Sequence, residues 1–137
     1  MSFYPCAVKT RFGFKNELIQ ALQEIYGKDS VEVHDVVTPL IDYRGNASPM
    51  SANIIVRRSH LGLASNDLGF VLVDGFYHAH ISDFDGGTGD YSNRKKIVDI
   101  RNIANKYAMS VIKSRLPRKY IIMDTKEQNT IDIEQIY

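Results

Sequence analysis

Residues 68–82 read LGFVLVDGFYHAHIS, and this stretch decides the fold. Two runs of β-favouring residues, Leu68–Val73 and 76–82, flank Asp74-Gly75. That pair tolerates positive φ at both positions and so closes a type I′ hairpin. Along the second run Tyr77, Ala79 and Ile81 form an apolar face, while Phe76, His78, His80 and Ser82 lie on the other.

Towards the N-terminus, residues 52–57 (ANIIVR) read as a strand and 44–49 (RGNASP) as a turn. Residues 40–43 are a weaker strand candidate after Pro39, and Val31, Val33 and Val36 mark another. Leu18, Ile19, Leu22, Ile25 and Tyr26 recur at helical spacing, which predicts an amphipathic helix over 14–26. Asn16 is its expected N-cap and Gly27 its αL terminator. Residues 3–9 (FYPCAVK) read as a first strand, followed by a turn at 10–13.

Towards the C-terminus, residues 83–92 form a loop rich in Gly and Asp. A long helix is expected over 93–116, capped by Ser92 or Asn93 and stopped by Pro117. Its apolar face holds Ile97, Ile100, Ala104, Tyr107, Ala108 and Val111. Strands are expected at 120–123 and 131–136, around a polar turn at 125–130. The order β-α-β-β-β-β-α-β-β implies an α+β fold, with a mainly antiparallel sheet and two helices packed on one face.

The chain has 137 residues, enough for a single α+β domain spanning 1–137. It is 44% hydrophobic and 24% charged, with a net charge of +1. That balance excludes disorder and a disulfide scaffold, and bulk charge argues for neither nucleic acid nor membrane. Cys6 stands alone, which fits a reducing compartment. No apolar run approaches the ~20 residues of a membrane span, and the N-terminus lacks a signal-peptide pattern. An intracellular, soluble protein is expected.

Several short segments resemble a known family. They are Met1-Ser2-Phe3, Val8-Lys9-Thr10, a helix with Leu18 and Ala21-Leu22, Tyr43-Arg44-Gly45, and Ala52-Asn53-Ile54-Ile55-Val56. Asn66-Asp67-Leu68-Gly69-Phe70, Asp83 and Lys106-Tyr107-Ala108 complete the set. Together they resemble the small domain-of-unknown-function proteins encoded as a hypothetical reading frame in red-algal plastids, cyanobacteria and some bacteriophages. The chain departs from that pattern at 83–92 and at 126–129. The resemblance implies an α+β domain, a larger partner such as an AAA-type ATPase, and a cytoplasm, plastid stroma or infected host cytoplasm as its location. It brings no catalytic residues.

Two chemical constellations centre on residues 78–96. His78 and His80 share one face of a strand, so both imidazoles can reach one divalent metal, with Asp85 or Asp90 from the loop as third ligand. The same alternation also describes an ordinary outward face. An EF-hand is excluded, because Arg94 stands at position twelve counted from Asp83. Gly86, Gly87 and Gly89 form a candidate cradle for a small anionic ligand such as a nucleotide, with Arg94, Lys95 and Lys96 in the first turn of the following helix. Asp83, Asp85 and Asp90 oppose an anion there, and no nucleotide motif is in register.

Charge is uneven: residues 94–119 hold nine Lys or Arg against the single acid Asp99. Lys95, Lys106 and Lys113 align on the helix face opposite Ile100 and Tyr107, a candidate docking surface for an acidic partner. Three lysines without interleaved surface aromatics are a small footprint for nucleic acid. No Gly-x-Ser-x-Gly elbow is present, and Cys6 reads as a small strand residue. The sequence therefore favours a non-enzymatic binding or adaptor domain with a protein partner, with a homo-oligomer as an option. A metal-binding protein or metal-dependent enzyme and an anion-binding protein are the alternatives.

Overall fold

The computed structural model describes residues 8–62, 64–86 and 97–115. In chain order its elements are β1 (Val8–Phe12), α1 (Lys15–Tyr26), β2 (Val31–Ile41), β3 (Ala47–Val56), a 3-10 turn at Arg58–His60, β4 (Leu68–Val73), β5 (Phe76–His80), a helical turn α2 (Asp83–Gly86) and α3 (Ile100–Arg115). The strands form one five-stranded sheet in the order β1-β5-β4-β3-β2, every neighbouring pair antiparallel. This is the expected α+β architecture, with four strands between two long helices. The strands expected at 120–123 and 131–136 lie outside the described residues, as do residues 3–7.

The β4–β5 hairpin closes as its turn chemistry requires, with φ of 52° at Asp74 and 86° at Gly75. Ile54, Phe70 and Ala79 lie side by side across three strands and face the helices. Phe12, Val56, Leu68 and Tyr77 extend that face beneath Leu18 and Leu22 of α1 and Ile103, Tyr107 and Val111 of α3. Each such aliphatic side chain contributes roughly 1.5–3 kcal/mol on burial. Phe12 sets its ring edge-on to Phe70 at 5.9 Å and to Tyr107 at 4.8 Å. On their outer seam the two helices are joined by three polar rungs: Glu17 with Ser114 and Arg115, Gln20 with Ser110, and Glu24 with Lys106. The descending partner numbers show that the helices run antiparallel.

Several local expectations change. β1 continues through Phe12 instead of turning at 10–13, because Phe12 is needed in the core. The N-cap of α1 is Phe14, not Asn16, and its side chain makes no capping bond. The Tyr107 hydroxyl serves instead, accepting the N–H groups of Gly13 at 3.1 Å and Phe14 at 3.2 Å. Gly27 ends α1 at φ 119° and ψ 155°, a conformation open to glycine but outside the αL well. The second long helix begins at Ile100 and not near residue 93. Asp99 is its cap, its carboxylate accepting the Arg101 N–H at 3.0 Å. The two strand candidates around 31–43 are one strand, β2. Pro39 is tolerated there because β2 is an edge strand.

β2 is not regular. Val33 pairs with Ile54, but the next pair is Thr38 with Ala52, so residues 34–37 face Asn53 alone. Beyond this bulge the distal β2–β3 arm folds back over the sheet face opposite the helices. There Leu40, Ala52 and Ile55 form a second, fully buried cluster. Gly69 lies beneath it, where a Cβ would stand 2.7 Å from the Cβ of Ala52 and 2.8 Å from a methyl of Leu40. The end of the arm is tied to the approach to β4. The Ile41 N–H donates to the Asp67 carboxylate at 2.7 Å, the Asp67 N–H donates to the Ile41 carbonyl at 2.9 Å, and the Tyr43 N–H donates to the Asn66 side-chain oxygen at 3.0 Å.

Candidate interaction surface

The residues singled out by sequence fall in three places. His78 lies opposite Val71 and His80 opposite Gly69, so the two imidazoles share a sheet face as alternation requires. That face is covered around His80, which is only 7% exposed. Burial first, then the neighbouring His78, hold the His80 pKa below its ordinary value. Among the described residues its Nδ1 has no hydrogen-bond partner. The loop expected from residue 83 begins as the helical turn α2, and Asp85 within it is buried. Its Oδ2 accepts the Asn66 N–H at 3.0 Å and the Ser82 hydroxyl at 2.9 Å. Burial raises its pKa against those hydrogen bonds. Among the described residues no group of three His, Cys, Asp or Glu side chains is gathered to hold a metal, and Asp90 lies outside them.

Of the candidate anion cradle, Gly86 is described, and its N–H donates to the Ser82 carbonyl at 2.9 Å. Gly87, Gly89, Arg94, Lys95 and Lys96 lie outside the described residues. Because α3 starts at Ile100, residues 94–96 precede its first turn and do not form it. Lys106 and Lys113, two turns apart on α3, line a groove of about 400 Å³ along the helix seam with Gln20, Glu24, Met109 and Ser110. Lys106 is paired with Glu24 at 3.3 Å.

A further surface was not anticipated. Val33, Val36, Val37, Leu72 and Val73 are the exposed large hydrophobic residues among those described, and Val36 is 77% exposed. Val36 and Val37 belong to the β2 bulge, Val33 to the last pair before it, and Leu72 and Val73 to the end of β4, and one side chain links these segments. The Asn53 amide donates to the His34 carbonyl at 3.3 Å, and its oxygen accepts the Leu72 N–H at 3.0 Å. The cause is the folded-back arm. Ile54 pairs with Phe70 and Ile55 with Gly69, so a continuous ladder would set Ala52 opposite Leu72. Ala52 instead lies over Gly69, and β4 loses its β3 neighbour at Leu72.

Charged groups anchor the bulge. Arg57 donates to Glu32 at 3.0 Å and to the buried Asp67 carboxylate at 2.8 Å. The Arg57 hydrogen bond is the main reason the Glu32 carboxyl titrates below its ordinary range, and His34 adds to it from 2.9 Å. A sequence signal for this surface did exist. Val36 and Val37 are consecutive, and two neighbours on one strand cannot both face the same layer. Comparison with protein-family models, with curated proteins and with solved structures gives no match.

Proposed function

We propose that the protein is a non-enzymatic binding or adaptor domain whose function is to hold a protein partner. The observation that carries this reading is the concentration of exposed apolar side chains around Asn53, at the point where the arm leaves the sheet. Exposed apolar residues gathered in one region mark interaction sites, whereas those scattered singly do not, and these five lie on the two strands that Asn53 joins. The resemblance to the plastid and phage reading frames supports a larger partner of the AAA-type ATPase kind. The α1–α3 groove, with Lys106 and Lys113, supplies a second face for an acidic segment of such a partner.

The test is a photo-crosslinking amino acid placed at Val37 of the full chain in the cells that make it. A control carries the same group at Ser59, exposed on the turn after β3. The expected result is a discrete adduct with one other protein from position 37 alone, lost when Val36→Asp and Leu72→Asp are added while the unfolding midpoint is unchanged. The same adducts from both positions, or none from position 37, would overturn the reading.

A further inference from the structure

The gap left by β3 has a backbone edge and a charge that define what can fill it. At Leu72 the outer backbone edge of β4 faces no strand among the described residues, and its N–H is held by a side chain, Asn53. A strand in this place would run one spacing, about 4.8 Å, from β4 and accept that N–H with its own carbonyl. Val36 and Val37 on one side and Leu72 and Val73 on the other supply apolar contact for its side chains.

Charge selects further. Asp35 immediately precedes Val36 and Asp74 immediately follows Val73, and both are exposed. Among the described residues neither has a hydrogen-bond or ion-pair partner. Two cations of the sheet are engaged elsewhere: Arg57 with Glu32 and Asp67, and Arg11 over the Phe76 ring at 5.1 Å. An acidic residue beside each apolar wall favours a segment with basic ends and disfavours an acidic one.

We infer that this gap takes an extended, apolar segment of a partner protein flanked by Lys or Arg, added as a strand along β4 beside the β2 bulge. The inference rests on the binding-domain reading and specifies its partner. Main-chain hydrogen bonds supply affinity, and the two aspartates set preference by charge.

The test titrates the full chain with fluorescein-labelled peptides KVTVTVK and EVTVTVE, read by anisotropy. The Lys-ended peptide is expected to bind about tenfold tighter or better, with the difference shrinking as salt rises. Asp35→Lys with Asp74→Asn, which keeps a residue that tolerates positive φ in the turn, should abolish or reverse the order. N-methylation of alternate peptide nitrogens should abolish binding, which a merely sticky surface would not require. No saturable binding, equal affinity for both peptides, or indifference to N-methylation would overturn the inference. So would sedimentation as a dimer that Val36→Asp converts to monomer, which assigns the gap to a second copy. An adduct from position 37 to residues 116–137 of the same chain would overturn it equally. A partner adduct from position 37 beside silent peptides would sink this inference alone, whereas silence in both experiments would sink the binding function too.

Discussion

Ala52 lies over Gly69, so close that a Cβ on Gly69 would stand 2.7 Å from its own. Continuation of the Ile54–Phe70 pairing would have placed it beside Leu72. This displacement buries the second face of the sheet and at the same time leaves the end of β4 uncovered. Core and interaction surface are thus two results of one fold-back.

Gly69→Ala should therefore be costly although alanine suits a strand better than glycine. The added methyl meets a rigid Cβ and a Leu40 methyl, and overpacking of this kind costs about 1–3 kcal/mol. Chemical denaturation measures the loss. Ala52→Gly in the same chain should restore part of it, since the two substitutions share one contact.

Tyr107→Phe keeps the ring against Phe12 but removes the oxygen that accepts the Gly13 and Phe14 N–H groups. Loss of a partner for part-buried donors costs about 1–3 kcal/mol. Faster amide exchange at Gly13 and Phe14, ahead of the rest of α1, distinguishes a lost cap from general loosening.

Asp85→Asn should remove a pH dependence from the stability of the protein. Burial lifts the Asp85 pKa above its ordinary 3.8, so the folded state holds this proton more tightly than the unfolded chain. The resulting stability is full below the ordinary value and is lost as pH rises through the folded one. Asparagine carries no charge to bury and its oxygen can accept the same two hydrogen bonds, while its amide N–H groups take the place of Oδ1, which has no partner among the described residues. Relative to the parent chain the variant should therefore gain stability as pH rises, and denaturation midpoints from pH 3 to 8 would show a divergence absent from a pH-independent effect.

Glu17 has the opposite sense. Its carboxyl is buried and titrates below the ordinary 4.5, chiefly because Arg115 donates to it, with Ser114 in support. The stability it contributes is present above 4.5 and lost as pH falls through the folded value. Glu17→Gln should lower stability at neutral pH and flatten the acid limb of the pH profile. Thermal melts of both chains across that limb provide the check; parallel curves would refute the assignment.

Much of the fold is legible in short windows. The Asp74-Gly75 turn between two β runs and the helical spacing of Leu18, Leu22 and Ile25 survive in the structure. Errors gathered at boundaries set by distant partners. Asn16 is a sound local cap, but the Tyr107 hydroxyl reaches Gly13 and Phe14 from the other helix. Residues 93–99 fit a helical period, yet Asp99 ends up as the cap that starts α3.

The sequence by itself determined the layer architecture and the shared face of His78 and His80, because periods of 2.0 and 3.6 are local properties of the backbone. Only the tertiary structure decided that the β2–β3 arm folds back, that His80 and Asp85 are buried, and that Val36, Val37, Leu72 and Val73 stay exposed. Those outcomes depend on register between β2, β3 and β4 and on the room Gly69 leaves beneath Leu40 and Ala52. Close packing between segments remote in sequence has no counterpart in any local window.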